Sequence, residues 1–322
     1  MMSRSLIASF AACWLLLGSL VPAGAQKAAV PFIFTPQSSP QAQFAGYYVA
    51  LAKGFYAEEG LDVVIEHPFA TQSAVEAIKD GDCQASLMPL SLAIRTTDEG
   101  VPLVNILQTS MNSATMIISR WGVDPLTLKG AKVAVFRAGF GQLARCFVEK
   151  QNLDYQWVLS SSCVNLFVAG VVEATLARSF HEYYQLLQTG LIKPGDERGI
   201  FRFSEHGYNI QQDGVYMTKK YYLQHKDQAE AFARASRKGW EWALEHQEET
   251  LDIVMEYVRR ERIATNRVLQ QLMLEEVLRL QLDRDSGKRE FRVRPEMVEA
   301  ASRMLFEQGM IKRMVTYEEL MP

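Results

Sequence analysis

The chain has 322 residues, of which 48% are hydrophobic, 10% aromatic and 22% charged. These proportions are typical of a globular protein and exclude collagen-like, low-complexity and largely disordered chains. The 34 basic and 37 acidic residues give a net charge of -3 without a block of five like charges, so a nucleic-acid-binding surface is not indicated. At about 100–200 residues per domain, the length favours two domains or lobes.

The first 25 residues have the pattern of a cleaved secretory signal peptide. Arg4 is followed by an apolar stretch over residues 7–20, and Ala23, Gly24 and Ala25 then form a small-x-small cleavage site. A membrane span needs about 20 apolar residues, and this run ends earlier. The sequence therefore predicts export to the periplasm, with an uncleaved N-terminal anchor as the alternative.

Three cysteines follow that segment: Cys83, Cys146 and Cys163. An odd number is unusual for an oxidising compartment, and at most one disulfide can form. Cys146 and Cys163 are the only pair within one predicted lobe, and the sequence leaves open whether they are bridged. The five histidines show no paired ligand spacing, so we expect neither a metal nor a cofactor.

Residues 30–119 predict alternating strands and helices. Strands are expected over residues 30–35, 61–66, 83–88, 104–108 and 114–119, and helices over residues 43–53, 55–59, 70–79 and 90–98. Thr71 or Ser73 can cap the helix over residues 70–79. This β-α-β alternation implies a parallel sheet with crossover helices.

A second unit of the same kind follows. Strands are expected over residues 132–136, 154–159, 173–176 and 214–218, with helices over residues 142–150 and 182–188 and one that begins at residues 166–169. The strand at 214–218 returns the chain to the first unit, and the remainder is mostly helical. We predict an α/β clamshell with two hinge crossings: residues 27–119 and 215–322 form lobe 1, and residues 120–214 form lobe 2. Ligands of such sheets bind beyond the carboxyl ends of the strands.

Five stretches carry a resemblance to a known family. Residues 43–50 read Gln-Phe-Ala-Gly-Tyr-Tyr-Val-Ala, and residues 53–63 read Lys-Gly-Phe-Tyr-Ala-Glu-Glu-Gly-Leu-Asp-Val. Three later stretches agree in order and spacing: 81–85, 128–135 and 180–185. The pattern resembles the periplasmic substrate-binding proteins of ABC importers in the thiamine-pyrimidine-precursor and sulfonate group (SsuA/THI5-like). The match runs from about residue 30 to residue 217 and is most specific at its start.

The resemblance implies a type II periplasmic-binding-protein fold without enzymatic activity. It also implies a monomer whose lobes close on a small planar heterocycle, which an ABC permease of the inner membrane then receives. A thiamine pyrimidine precursor is the expected ligand, and a sulfonate or a flavin is the alternative. Two other functions remain open: a sensing module for a membrane signalling protein, and a pyrimidine-precursor synthase of the same fold. The synthase type carries a cysteine-rich run that this chain lacks.

The family's pocket positions single out aromatic and acidic residues as ligand contacts. Glu182 occupies the position of a pocket acid beside Tyr183, and a carboxylate can accept charge-assisted hydrogen bonds from an aminopyrimidine edge. Phe34 stands where relatives carry a stacking tryptophan. Tyr47 and Tyr48 point to different faces of one helix, so at least one of them belongs to the core, and we take Tyr47 as the contact. Alternatively, Glu182 is a solvated acid on the surface and does not contact the ligand.

The other candidate contacts are polar residues of loops and helix starts. Arg137 and Gly139 lie at a strand-to-helix turn whose backbone N–H groups could bind an anionic group. Alternatively, Arg137 pairs with an acid such as Glu173, and the glycine only forms the turn. The set is completed by four residues near strand ends or helix starts: Gln43, Thr71, Ser91 and Asn165.

Overall fold

The structure, a computed structural model, describes residues 29–68, 73–136 and 141–322. The predicted signal peptide lies outside the described residues, and so do three candidate contacts: Thr71, Arg137 and Gly139. Within the described ranges, no helix is long and apolar enough to cross a lipid bilayer.

Ten strands form two five-stranded sheets. The strands are β1 (Val30–Thr35), β2 (Leu61–Ile65), β3 (Ala85–Pro89), β4 (Leu103–Gln108), β5 (Thr115–Ser119), β6 (Ala131–Phe136), β7 (Tyr155–Ser160), β8 (Ala174–Arg178), β9 (Ile200–Arg202) and β10 (Asp213–Thr218). The first sheet has the order β2-β1-β3-β10-β4 and the second β7-β6-β8-β5-β9. We call the sheets with their helices lobe 1 and lobe 2.

Each sheet is parallel except around one strand that enters from the other lobe. In lobe 1, β1 pairs in parallel with β2 and β3, and β10 runs antiparallel to β3 and β4. In lobe 2, β6 pairs in parallel with β7 and β8, and β5 runs antiparallel to β8 and β9. The chain therefore crosses between the sheets twice, before β5 and before β10, which confirms the predicted α/β clamshell. Strand β5 was expected in lobe 1, within residues 27–119, but it pairs in the sheet of lobe 2, so the first crossing lies before Thr115. The short strand β9 was not predicted.

Thirteen α-helices are present among the described residues. They are α1 (Ala45–Ala52), α2 (Phe55–Glu58), α3 (Ala74–Asp80), α4 (Leu90–Asp98), α5 (Gln142–Lys150), α6 (Cys163–Val168), α7 (Glu182–Thr189), α8 (Lys219–Gln224), α9 (Lys226–Glu245), α10 (Gln247–Arg260), α11 (Arg267–Leu280), α12 (Pro295–Glu307) and α13 (Tyr317–Leu320).

The core of lobe 1 depends on a close crossing of α1 and α9. Gly46 faces the ring of Trp240, and a Cβ at this glycine would lie 2.2 Å from that ring. Gly239 faces the backbone of α1 in the same way, with 2.1 Å between its virtual Cβ and the carbonyl oxygen of Gly46. Only glycine fits at both positions, so the Phe-Ala-Gly-Tyr-Tyr motif serves the packing of the fold.

A separate hydrophobic cluster joins the two lobes. It contains Leu90 and Ile94 of α4, Cys146 of α5 and Leu305 of α12, all of them buried. Helix α12 therefore packs against one helix of each lobe. In the described part of the chain, Cys83, Cys146 and Cys163 are buried free thiols. The structure therefore has no disulfide bond between Cys146 and Cys163.

Candidate functional site

A cleft of about 670 Å³ lies between the lobes, a volume in the range of small-molecule sites. Lobe 1 contributes residues 37–41, 73–75 and 87–89, and lobe 2 contributes Phe136, residues 160–164 and the segment around Arg178. Residues 263–265 and Gln270 of the C-terminal helical region complete the lining.

The lining residues gather at one edge of each sheet. Strands β1, β3, β6, β7 and β8 end at Thr35, Pro89, Phe136, Ser160 and Arg178. The last four of these residues line the cleft themselves, and the lining after β1 begins at Gln37. Since the carboxyl ends of parallel strands meet at one sheet edge, this is the position where such folds bind ligands.

The most highly charged part of the cleft is an ion pair between Arg178 and Glu182. Arg178 ends β8 and Glu182 begins α7, so the turn between strand and helix holds the two side chains together. The Oε2 atom of Glu182 accepts from the backbone N–H and from Nε of Arg178, both at 2.9 Å. Oε1 accepts from Nη2 of Arg178 and lies 2.9 Å from Nδ1 of His181. The side chains of Arg178 and Glu182 are only 12% and 3% exposed.

These contacts determine the charge state of the pair. Burial alone would raise the pKa of Glu182, but the charges and hydrogen bonds of Arg178 and His181 hold it well below its usual range. Burial also works against the charged guanidinium of Arg178, while Glu182 and, from lobe 1, Asp213 raise the pKa of Arg178. The pair is therefore fully ionised at neutral pH.

Glu182 has little capacity left for a further donor. A carboxylate offers about four lone-pair positions, and the structure fills two on each oxygen of Glu182. A ligand that donates to this carboxylate would have to displace Arg178 or His181.

His181 contacts both members of the ion pair. Its Nδ1 lies 2.9 Å from Nη2 of Arg178, a donor, and 2.9 Å from Oε1 of Glu182, an acceptor. Its Nε2 lies 3.3 Å from the side-chain amide nitrogen of Gln185, so the ring joins the ion pair to α7.

A second carboxylate lies at the hinge, at the start of β10. The Oδ1 and Oδ2 atoms of Asp213 accept from the side-chain amides of Gln37 at 3.1 Å and Gln43 at 2.5 Å. Burial raises the pKa of Asp213, and the two amides and Arg178 oppose that rise. The candidate contact Gln43 is therefore 3% exposed and occupied by Asp213, outside the cleft lining.

His67 fixes the lobe 1 rim of the cleft. Its Nδ1 lies 2.5 Å from the carbonyl oxygen of Ser38, and its Nε2 lies 2.8 Å from the hydroxyl of Tyr48. Burial lowers the pKa of His67 to about 4, although the Ser38 carbonyl favours the charged form. The neutral ring therefore donates to the rim at Nδ1 and accepts the tyrosine hydroxyl at Nε2.

A smaller cavity of about 240 Å³ lies between lobe 2 and α11, and Tyr183 lines this cavity instead of the cleft. Two of its charged groups, Glu276 and Arg279, form an ion pair: Glu276 accepts from Ser179 Oγ at 2.5 Å and from two nitrogens of Arg279 at 2.6 and 2.7 Å. The ring of Tyr183 lies 5.3 Å from the guanidinium of Arg202.

Among the described candidate contacts, Glu182 lines the cleft, whereas the predicted aromatic platform does not. Phe34 and Tyr47 are fully buried in lobe 1, their ring centroids 4.7 Å apart, and both pack on Phe232. Ser91 is buried within α4, and Asn165 is exposed on α6, outside the lining. Phe34 and Tyr47 lie in the core because β1 and α1 direct them toward α9.

Several cleft residues were missed by the sequence analysis. Arg178, residues 160–162 and residues 263–265 line the cleft without having been proposed as contacts. The first two follow the carboxyl ends of predicted strands, so the strand-end rule could have found them. Residues 263–265 belong to a region where the sequence showed only helical periodicity.

The comparisons with known proteins agree with this architecture. Residues 41–250 match the family model described as NMT1/THI5 like. The formylaminopyrimidine-binding protein of Halalkalibacterium halodurans is 23% identical over 225 residues, which cover 67% of each protein. The riboflavin-binding protein RibY of Chloroflexus aurantiacus is 23% identical over 253 residues, 73% of this chain and 69% of the relative.

A solved structure extends the fold similarity to nearly the whole chain. The periplasmic aliphatic sulphonate binding protein SsuA of Escherichia coli has a TM-score of 0.66 at 12% identity, covering 91% of this chain and 97% of that one. The fold and the cleft thus define a type II periplasmic-binding-protein architecture, that of solute-binding proteins of ABC importers. The chain belongs to the NMT1/THI5-like family, whose model matches more than half of its length. These relatives are named as binding proteins, in agreement with the expected non-enzymatic binding function.

Proposed function

We propose that the chain is exported by its first 25 residues and acts as a monomer in the periplasm. There it binds a thiamine pyrimidine precursor and delivers it to an ABC permease of the inner membrane. The formylaminopyrimidine-binding relative supports this ligand class. The apolar stretch over residues 7–20 and the small residues before Gln26 support export.

One observation carries the proposal: the cleft takes its lining from both lobes. A ligand held between residues 37–41 of lobe 1 and residues 160–164 of lobe 2 contacts both halves only when the lobes are close together. It therefore binds the closed form more tightly and shifts the population toward it. A permease can then recognise the closed, ligand-bound conformation and distinguish it from the open one.

Calorimetry with the protein purified from the periplasm tests the ligand. We expect formylaminopyrimidine to bind with 1:1 stoichiometry and small-angle scattering to show a smaller radius of gyration in its presence. A tryptophan in place of Ser161, an exposed residue of the lining, should fill part of the cleft and weaken binding about tenfold or more.

The matched control is S286W, which adds the same ring on an exposed loop outside the lining. This variant should bind like the wild type. Absence of binding to the whole series of pyrimidine precursors would refute the proposed ligand, and a constant radius of gyration with proven binding would refute closure.

A flavin is the second candidate, because the riboflavin-binding relative aligns with 73% of this chain. The same calorimetry with riboflavin decides between the two. Tighter binding of riboflavin than of every pyrimidine precursor would favour the flavin.

A further inference from the structure

The ionic balance of the cleft limits the charge of its ligand. Within the described part of the chain, Arg178 and Glu182 are the lining residues that carry a full charge at neutral pH, and they form an ion pair. The other polar lining groups are hydroxyls, amides and the ring of His181. The amides and hydroxyls include the side chains of Gln37, Ser161 and Gln270.

The ion pair is held in a fixed geometry. Three donors of Arg178, its backbone N–H, Nε and Nη2, all point at the Glu182 carboxylate. Two parallel N–H···O contacts of this kind form the strong bidentate arrangement of arginine and carboxylate. The positive charge of Arg178 is thus compensated within its own lobe, before any ligand enters.

An entering anion would meet an unfavourable balance. It must give up its hydration, which is unfavourable for a buried ion. The attraction of Arg178, whose charge is compensated by Glu182, offsets little of that cost. Asp213 adds a second negative charge that acts on Arg178 from lobe 1. A neutral ligand avoids this cost and can use the hydroxyl and amide groups for hydrogen bonds.

We propose that the Arg178–Glu182 ion pair keeps Arg178 from binding small oxyanions such as sulfonates and thereby makes the described part of the cleft selective for uncharged polar ligands. Glu182 acts here as a specificity residue through Arg178, by neutralising it. The inference rests on the proposed function, since it assigns the ligand charge for the same cleft.

The test uses two probes of nearly equal shape, ethanesulfonate and the uncharged ethanesulfonamide, with binding followed by calorimetry and ligand-detected NMR. The wild type should show no binding of ethanesulfonate at millimolar concentration. The variant E182Q keeps the shape of the side chain and removes its charge, so Arg178 becomes an uncompensated cation. We expect E182Q to bind ethanesulfonate about tenfold or more tightly than the wild type does, with no such gain for the sulfonamide.

The charge-matched control is E275Q, which removes an exposed acid of α11 that lies outside the lining. It should leave ethanesulfonate binding unchanged. Wild-type protein that binds ethanesulfonate as well as E182Q does would overturn the proposal, and so would a folded E182Q without the gain.

A second variant covers the case in which E182Q does not fold. The double change of Arg178→Met and Glu182→Leu removes both charges, and such replacements of buried ion pairs are often neutral or stabilising. Neither this variant nor the wild type should then bind ethanesulfonate, and binding by the wild type alone contradicts the proposal. If no pyrimidine precursor binds, the proposed ligand is refuted. That result is separate from the test of the ion pair, because the sulfonate comparison does not use a pyrimidine.

Discussion

Replacing Gly239 by alanine tests how the core of lobe 1 is built. Gly239 lies on α9 where this helix crosses α1. An added Cβ would lie 2.1 Å from the carbonyl oxygen of Gly46 and 2.8 Å from the Cβ of Ala50. The first of these atoms is backbone and cannot rotate away, so the helices must move apart.

The magnitude follows from two opposing terms. Overpacking of a well-packed core costs about 1–3 kcal/mol and occasionally more. Alanine is the better helix former by about 1 kcal/mol, which offsets part of that cost. Since the clash is with backbone, we expect the upper end of the range and a net loss of about 2 kcal/mol in the free energy of unfolding.

Urea unfolding followed by circular dichroism and tryptophan fluorescence measures this loss. Glu241→Ala, an exposed change two residues further along α9, is the control and should stay within about 0.5 kcal/mol of the wild type. An equally stable or more stable G239A protein would refute the close crossing of α1 and α9.

Three further predictions concern the hydrophobic cluster that joins the two lobes, His67 and the three buried thiols. Leu305→Ala should lower the free energy of unfolding by about 2–5 kcal/mol in urea titrations because Leu305 is fully buried, and a loss below about 1 kcal/mol would contradict this. Burial lowers the pKa of His67 from 6.5 to about 4, so the folded state takes up this proton less readily than the unfolded state. Stability should therefore be lost as the pH falls from about 6.5 toward 4, more steeply in the wild type than in His67→Phe; equal slopes would argue against a buried neutral ring. Burial raises the pKa of Cys83 to about 11 and those of Cys146 and Cys163 to about 12, so a thiol reagent should label them only after unfolding. Fast labelling of the folded protein would show that they are accessible.

The fold could be predicted because its main determinants are local. Apolar runs of five or six residues, bounded by glycine or proline, identify β1 and β3 and the strands between the predicted helices. Alternation with helices then leaves few topologies, since parallel crossovers are almost always right-handed. The short strand β9 has only three residues and depends on its pairing with β5, so periodicity could not reveal it.

The site was harder to predict because burial depends on distant partners. Phe34 and Tyr47 have the residue types of a stacking platform, but their environment is set by Phe232, which lies about two hundred positions away in the sequence. Glu182 lines the cleft, and its contact with a ligand stays a prediction. Its pairing with Arg178, four residues earlier, became visible only through the end of β8 and the start of α7.

Helix α12 constrains how the lobes can separate. Helices α4 and α5 both begin at the carboxyl edge of their own sheet, and both pack against α12 in the cluster of Leu90, Cys146 and Leu305. Each buried apolar side chain of this kind contributes about 1.5–3 kcal/mol, so separating α4 from α5 would expose several such contributions at once. Opening should therefore leave this contact intact and occur along the rest of the cleft rim. The cluster then acts as a third connection between the lobes, beside the two chain crossings.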